Sequence, residues 1–344
     1  MKLDFSSQTI SDVILSIQDD NVMDWQLDIL NFLEKYKEQE SEIQINELQG
    51  ENIFTVEMKR ENIQNTVREL NSYLKIKEGD KTLISHSLKT KSGVISLAQA
   101  IEGKMEAYCV EPTNTIKIPY TGQDQNEIHW GLNYVYVSEN QIAESEGSLH
   151  RIEKIAIESN GLKDETEKSL VSPNSEQQLF DVFSVKSFPV GIKNFKDDKF
   201  TVLGNVQLNK SENGQLIINS PNFQEEIDTQ KAVVLTSEKS FRWLTSGEYL
   251  DTENDLIVNF EHIEEVLEPF IDTRFVVINF PDKNSNEEVV TLVVERRYME
   301  EFNYPTDDLK EHEIPKQTYF LGEFPENNDR ASIRKEVKRL LNTN

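Results

Sequence analysis

Two hydrophobic patterns alternate along the first part of the chain, and this alternation constrains the fold more than any other feature. Apolar residues recur every three or four positions from Met23 to Lys37 and from Glu61 to Leu74, which is typical of helices with one buried face. Short apolar runs at Leu83-Ile84 and Ala107 to Val110 flank a third helical segment, Gly93 to Glu102. Such alternation favours βαβ units, so we predict an α/β fold with mixed sheets covered by helices.

The pattern changes further along the chain. Residues 113–177 are mostly polar, and Asn160 to Gln178 is polar enough to predict a mobile loop. Short strand-like runs dominate from Phe180 onwards, and a compact α+β pattern follows Gly247. We therefore expect a large N-terminal domain, residues 1–247, and a small α+β domain, residues 248–344.

Charge excludes two classes of partner. The chain carries 62 acidic and 36 basic residues, a formal net charge of −26. Nucleic acids and anionic membranes bind proteins through positive surfaces, so neither is an expected partner. No apolar run approaches the length of a membrane span, the N-terminus lacks a signal-peptide pattern, and Cys109 is the single cysteine. We expect a cytoplasmic protein; the oligomeric state stays open.

General catalytic motifs are missing from the sequence. It contains no G-x-x-x-x-G-K-[ST] phosphate loop, no G-x-G-x-x-G dinucleotide turn and no G-x-S-x-G nucleophile elbow. The histidines are too scattered to predict a zinc site, and each is interpreted as a surface or hydrogen-bonded residue: His86, His129, His150, His262 and His312. Cys109 lies in an apolar run and is expected to pack rather than react.

Several segments, in their order and spacing, resemble the AMP-forming acyl-CoA synthetase (ANL) superfamily, and most closely its short o-succinylbenzoate-CoA ligase branch. The matching segments are Gly93 to Pro112, Gly214 to Pro221, Phe241 to Leu244, Glu261 to Glu264, Ile314 to Lys316 and Phe324-Pro325. The resemblance spans nearly the whole chain. It implies a large AMP-binding-like N-terminal domain and a small C-terminal lid domain that rotates between two half-reactions.

The chain departs from this family where the family binds phosphate. There the family has a loop of the form T-S-G-S-T-G-x-P-K, which holds the phosphates of ATP through backbone N–H groups, hydroxyls and a lysine. This chain reads Ile45 to Ile53 at that place, with Gly50 as the one retained residue. Glu47 and Glu51 add negative charge, and Ile53 replaces the lysine. Like charges oppose a tetra-anionic ligand there.

Two further nucleotide contacts of the family are replaced. Its Y-G-M-T-E-T segment supplies a threonine and a Mg²⁺-binding glutamate, and Lys186 and Ser187 take those places here. Its ribose-binding aspartate is matched by Lys231, which has no acceptor lone pair for the ribose hydroxyls. Both lysines could instead simply balance nearby carboxylates.

The hinge and the lid depart from the family as well. Glu248 either keeps an acid at the hinge or is simply a polar linker residue, and the arginine of the family's W-L-G-R-x-D is lost here. Ile257 stands where the family's G-G-x-K loop has its lysine. The family's terminal catalytic lysine falls near Ser332, where Arg330 or Arg334 would have to replace it.

These replacements lead to our principal hypothesis, a pseudoenzyme that keeps the fold without adenylation and binds a protein or small molecule. No catalytic residue, metal or cofactor is then expected. The alternative is an active AMP-forming acid-CoA ligase of menaquinone biosynthesis, which would use ATP, Mg²⁺ and CoA with unconventional groups such as Lys186, Lys231 or Arg330. A third interpretation is a plain structural module with no ligand.

Overall fold

A computed structural model provides the structure of the protein. It describes residues 1–17, 22–38, 41–49, 52–116, 131–149, 152–159, 177–186, 188–211, 214–223, 225–244, 247–251, 256–282, 285, 287–296, 308–326 and 329–343. The predicted loop from Asn160 onwards lies almost wholly outside the described residues.

Helices and strands alternate in the first half of the chain, as predicted. The elements in chain order are β1 Lys2–Asp4, α1 Ile10–Ile17, α2 Asp24–Lys37, β2 Glu42–Gln49, β3 Asn52–Lys59, α3 Arg60–Leu74, β4 Lys81–Ile84, α4 Lys91–Glu102, β5 Glu106–Cys109, β6 Tyr134–Ser138, α5 Glu139–Leu149 and β7 Lys154–Ser159.

The second half begins with strands and ends with a mixture of both. Its elements are β8 Gln178–Val185, β9 Phe188–Asn194, β10 Phe200–Val202, β11 Gln207–Lys210, β12 Gln215–Asn219, β13 Ile227–Ser237, β14 Ser240–Trp243, β15 Glu248–Asp251, β16 Leu256–Asn259, α6 Phe260–Leu267, β17 Phe275–Pro281, β18 Glu288–Glu295, β19 Gln317–Leu321 and α7 Arg330–Thr343.

A mixed sheet forms the centre of the fold. Its strand order is β1-β5-β4-β6-β7-β8-β9-β10-β14-β13-β12-β11. The neighbours from β5 through β4, β6 and β7 to β8 run parallel, whereas β1 and β9 pair antiparallel at the two ends of this block. Parallel strands need crossover connections, which is why the amphipathic helices lie between them in sequence. The predicted α/β class is confirmed.

The two faces of the parallel strands pack into separate cores. Tyr134 and Tyr136 of β6 face the core that contains helix α4, with Ala156 of β7 and Phe180 of β8 beside them. The alternate residues of these strands, such as Val135, join a second core with α5. Both faces are covered, so these strands are nearly continuously apolar.

The chain divides into two compact units. The first contains residues 1–209, 217–227 and 235–242, and the second contains residues 210–216, 228–234 and 243–344. In the second unit β17 pairs antiparallel and β19 pairs parallel with the central strand β18, while β15 and β16 form a hairpin. Helix α6 packs on one face of the β17–β19 sheet and α7 on the other, each with its own apolar core.

Several predicted boundaries differ from the structure for local reasons. The predicted helix Glu261 to Phe270 ends at Leu267 and continues as a 3₁₀ turn, Glu268–Phe270, because Pro269 has no N–H for the α-helical hydrogen bond. The predicted strand Phe200 to Val206 stops at Val202, before Gly204 adopts a positive φ of 64°. Cys109 packs as expected: it is buried, and burial raises the pKa of its thiol to about 12. In the described part of the chain, no helix is both long and apolar enough to cross a membrane.

Candidate functional site

Polar side chains gather where four neighbouring parallel strands end. His86 follows β4, Tyr136 lies in β6, Glu158 is near the end of β7, and Ser184 is near the end of β8. The carboxyl ends of parallel strands meet at one edge of a sheet, and in open α/β folds ligands bind at that edge. We call this set of four residues the strand-end cluster.

Strand register places the members of the cluster on the same face. Tyr136 pairs with Ala156, and Glu158 pairs with Val182, two residues before Ser184. Paired residues of a sheet share a face, and residues two apart along a strand return to it. Tyr136, Glu158 and Ser184 therefore all point to the side that helix α4 covers, and the ring of His86 meets Tyr136 edge-on with centroids 6.4 Å apart.

The imidazole of His86 has an unsatisfied nitrogen. Its Nε2 atom is buried and has no hydrogen-bond partner among the residues that the structure describes. Burial lowers the pKa of His86 from 6.5 to about 4, and a hydrogen bond with the Tyr136 backbone acts weakly in the opposite direction. The ring is therefore neutral at physiological pH, and it can give or accept one hydrogen bond depending on its tautomer.

Glu158 is a buried carboxyl group with partners on α4. Ser92 donates its hydroxyl proton to Glu158 Oε2 at 2.5 Å. Burial raises the pKa of Glu158, whereas the Ser92 hydrogen bond and the charge of Lys91 act to lower it. The Ser184 hydroxyl faces Glu158 and Tyr136 but meets neither at hydrogen-bonding geometry, and within the described ranges it has no partner.

The N-terminus of α4 is fixed against this cluster by a close backbone approach. Thr90 caps the helix, since its hydroxyl oxygen accepts from the N–H of Gly93. The same hydroxyl donates to the carbonyl of Ser87 at 2.7 Å. A methyl group on Gly93 would lie 2.1 Å from that carbonyl oxygen, so glycine alone allows this approach. The approach positions Lys91 and Ser92 beside Glu158.

The strand-end cluster combines a neutral imidazole, a hydroxyl, a phenol and a carboxyl group in a largely buried place. Such a set can hold a small polar group through several hydrogen bonds, and perturbed pKa values concentrate at functional sites. Sequence analysis did not single out these residues. The available signal was the position of Ser85-His86 directly after the apolar run Leu83-Ile84, because polar residues at the end of a parallel strand lie at the binding edge.

Comparison with solved structures addresses the fold. The crystal structure of an acyl-CoA synthetase (AMP-forming)/AMP-acid ligase II-like protein from Dyadobacter fermentans DSM 18053 matches 96% of this chain and 97% of its own, with a TM-score of 0.60 and 16% sequence identity. The chain has the fold of an AMP-forming acyl-CoA synthetase. The fold implied by the sequence resemblance is thereby confirmed.

Other structures with this synthetase fold are less similar. Unliganded o-succinylbenzoate coenzyme A synthetase (MenE) from Bacillus subtilis is 14% identical, with 86% of this chain and 68% of that one covered and a TM-score of 0.45. E. coli MenE with bound OSB-AMS is 11% identical, with 88% and 70% covered and a TM-score of 0.45. No protein-family model and no curated protein matches the sequence.

Within the synthetase fold, the segment that replaces the family's phosphate loop forms a hairpin. Glu47 lies in β2 opposite Phe54, and Ile53 lies in β3 opposite Leu48. Gly50 and Glu51 fall outside the described residues. The sequence analysis did not predict these two strands, because it interpreted the segment only by its resemblance to a loop.

Lys186 and Lys231 stand in different settings. Lys186 follows β8 with a positive φ of 47°, and its carbonyl accepts from the ammonium of the buried Lys91. Ser187 lies outside the described residues. Lys231 of β13 places its ammonium 5.4 Å from the ring centre of Trp243, a cation–π distance. An aromatic ring is therefore one close neighbour of this lysine.

The hinge and lid positions all lie in the second unit. Glu248 and Ile257 share the β15–β16 hairpin, where Glu248 pairs with Asn259 and Ile257 with Leu250. Glu248 therefore starts a strand and is not merely a polar linker residue. Ser332 donates its backbone N–H to Asp329 at the start of α7.

Arg330 is held by an ion pair inside the second unit. Its Nη1 donates to Glu264 Oε2 at 2.8 Å, and Arg334 Nη2 donates to the same oxygen at 2.8 Å. Glu264 Oε1 accepts from the backbone N–H of Val277. The carboxylate thus joins α6, α7 and β17, and this structural bond occupies the arginine that sequence analysis considered as a substitute for the catalytic lysine.

Acidic residues do not gather into a metal site in the part of the chain that the structure describes. No group of three or more histidine, cysteine, aspartate or glutamate side chains there could hold a metal ion. The candidate chemistry of the first unit is therefore hydrogen bonding by the strand-end cluster.

Acid titration tests the environment of His86. The folded protein keeps this imidazole neutral, so the unfolded chain binds more protons between pH 6.5 and about 4, and the free energy of unfolding falls as the pH falls through that window. We expect His86→Gln to remove about 2 kcal/mol of this loss, after a discount for the partial exposure of the residue. Urea denaturation at pH 7 and pH 4 measures the difference, with the exposed His262→Gln as control. Parallel curves for wild type and His86→Gln would contradict the assignment.

Proposed function

We propose that this protein binds a small organic molecule at its strand-end cluster and does not form acyl-adenylates. The observation that carries the proposal is the pair of buried atoms, His86 Nε2 and Ser184 Oγ, that lack hydrogen-bond partners among the described residues. More than nine in ten buried polar groups in proteins are satisfied. Two unsatisfied atoms around the same phenol and carboxyl group favour a ligand that supplies the missing hydrogen bonds.

The chemistry of the cluster defines the ligand class. A neutral imidazole and a hydroxyl can each donate or accept, and Glu158 is kept from ionising easily by its burial. These groups suit a ligand with a carboxylic acid, amide or hydroxyl group. The tyrosine ring beside the histidine adds an apolar surface for a planar ligand.

The loss of adenylation is supported by the replaced family positions. Glu47, Ile53, Lys186 and Lys231 each differ in charge or hydrogen-bonding type from the residue that the family uses. One lost transition-state donor costs about 2.7–4 kcal/mol, so several losses, even heavily discounted for non-additivity, exceed about 8 kcal/mol, or about six decades of rate. Arg330 is committed to Glu264 and does not compensate.

Pyrophosphate exchange tests the absence of adenylation. The full chain is incubated with ATP, Mg²⁺, labelled pyrophosphate and a panel of aryl and fatty acids, beside an active AMP-forming synthetase. We expect no exchange above the background without enzyme. Exchange that depends on any acid would instead support the alternative function, an acid-CoA ligase with unconventional catalytic groups.

Thermal denaturation tests ligand binding independently of ATP. A panel of aromatic and aliphatic carboxylic acids and their primary amides is added to the protein, and saturating ligand at 100 times its Kd adds about 2.7 kcal/mol of stability. We expect a compound that stabilises wild type and His262→Ala but not His86→Ala or Ser184→Ala. If every stabilising compound acts equally on all four proteins, the strand-end cluster is not the site. If none acts on wild type, the structural-module hypothesis is favoured.

A further inference from the structure

A second concave site lies wholly within the C-terminal unit, on one face of helix α7. The cavity has a volume of about 310 Å³. Residues at helical spacing along α7 form one wall, and β15, β17 and the start of α6 form the others: Glu248, Phe260, Ile278, Asn279, Ala331, Arg334, Lys335 and Lys338. This volume is at the lower end of the range for small-molecule sites.

Arg334 is the buried cation of this cavity. Its side chain is 5% exposed, and one nitrogen, Nη2, donates to Glu264. Its Nε and Nη1 atoms are buried and have no hydrogen-bond partner in the described part of the protein. A guanidinium has five N–H donors, and leaving buried donors unused costs free energy, so these two nitrogens call for an acceptor.

Two lysines on the same helix add positive charge. Lys338 is partly buried and donates its ammonium to Asn279 Oδ1. Burial lowers the pKa of Lys338, which shows that its charge is poorly compensated, although Glu288 attracts it. Lys335 directly follows Arg334 in sequence, is exposed, and can reach a ligand at the cavity mouth.

Carboxylates near the cavity are accounted for individually. Glu264 is shared by Arg330 and Arg334, so two guanidinium groups face one carboxylate. Glu261 is 59% exposed and lies 3.9 Å from Arg334 Nη1, beyond a hydrogen bond. Glu288 accepts from the side chain of Asn279, and Glu248 is the one acid among the described lining residues. The described lining therefore carries three cations against one anion.

We propose that this cavity binds a small phosphate-bearing molecule. A phosphate group carries a charge near −2 at neutral pH and offers several strong acceptor oxygens, which matches a buried guanidinium with spare donors beside two ammonium groups. In a chain of net charge −26, a fixed cationic cavity attracts an anion against the field of the whole protein. The site is separate from the strand-end cluster and does not depend on the function proposed for that cluster.

Inorganic phosphate is the probe for this site. Isothermal titration of the full chain with phosphate, at constant ionic strength, is expected to show saturable binding. Lys335→Gln and Lys338→Gln should each weaken the affinity roughly tenfold to a hundredfold, the effect of losing one charge-assisted hydrogen bond. Arg339→Gln is the matched control, since it removes one positive charge from the same helix outside the cavity and should leave the affinity unchanged.

A parallel titration with citrate separates phosphate from carboxylate recognition. Binding of phosphate that weakens in both cavity variants and not in the control supports the proposal. Three outcomes overturn it: no saturable phosphate binding, equal weakening in Arg339→Gln, or binding of citrate without binding of phosphate. Circular dichroism of each variant establishes that the fold is retained, and Arg334 itself is left intact because it also holds Glu264.

Discussion

Glu264→Gln is expected to lower the free energy of unfolding of the C-terminal unit by about 3–5 kcal/mol. The carboxylate is 1% exposed and accepts hydrogen bonds from Arg330 and Arg334, both at 2.8 Å, and from the Val277 N–H. Removal of its charge leaves the buried Arg334 guanidinium without a compensating anion. A glutamine also places an N–H₂ group where one of these donors needs an acceptor.

Hydrogen exchange and urea denaturation measure this effect. The amides of β17 and α6 should lose protection in Glu264→Gln, because the glutamate bridges these elements and α7. Glu265→Gln is the matched control, since it changes the same charge at the next, exposed position of α6. A change in Glu264→Gln no larger than in the control would show that the ion pairs contribute little to stability.

Gly93→Ala is expected to destabilise the N-terminal unit by about 3 kcal/mol. A Cβ atom at this position would lie 2.1 Å from the Ser87 oxygen and 2.6 Å from the Ser87 carbonyl carbon. Both are backbone atoms, so the clash is relieved only if helix α4 moves away from the segment after β4. That movement would also pull Ser92 away from Glu158.

The sign of this effect distinguishes packing from helix propensity. In an unconstrained helix, alanine is more favourable than glycine by about 1 kcal/mol, so propensity alone predicts stabilisation. Gly79→Ala is the comparison variant: nothing lies within 4 Å of its Cβ position, and its φ of 84° leaves a conformational cost of about 1 kcal/mol. Thermal unfolding of both variants measures the two effects. A Gly93→Ala protein as stable as wild type would refute the close approach.

Local patterns in the sequence were enough for much of the fold. The apolar periodicity of Met23 to Lys37 and Glu61 to Leu74 predicted α2 and α3 to within one residue at each end. The order of helices and strands predicted the α/β class, and the family resemblance predicted the synthetase fold. These properties follow from short-range spacing and element order, which a sequence displays directly.

Weakly patterned elements were missed. The hairpin of β2 and β3 alternates polar with apolar residues only in part, and α5 has few apolar residues of its own. The strand that Glu248 begins was not predicted either, because a short strand of mixed polarity has no distinctive periodicity. Pairing with a neighbouring strand, rather than local propensity, forms such strands.

The sequence by itself determined the acidic charge, the helices with one apolar face, the order of elements and the replacement of the family's nucleotide-binding residues. The tertiary structure alone decided which polar residues meet. His86, Tyr136, Glu158 and Ser184 are separated by 22 to 50 positions along the chain and become neighbours through the register of parallel strands. Glu264 and Arg334 likewise meet only because α6 and α7 both pack on β17. Burial and unsatisfied hydrogen bonds are properties of such encounters, so no local pattern of residues could have displayed them.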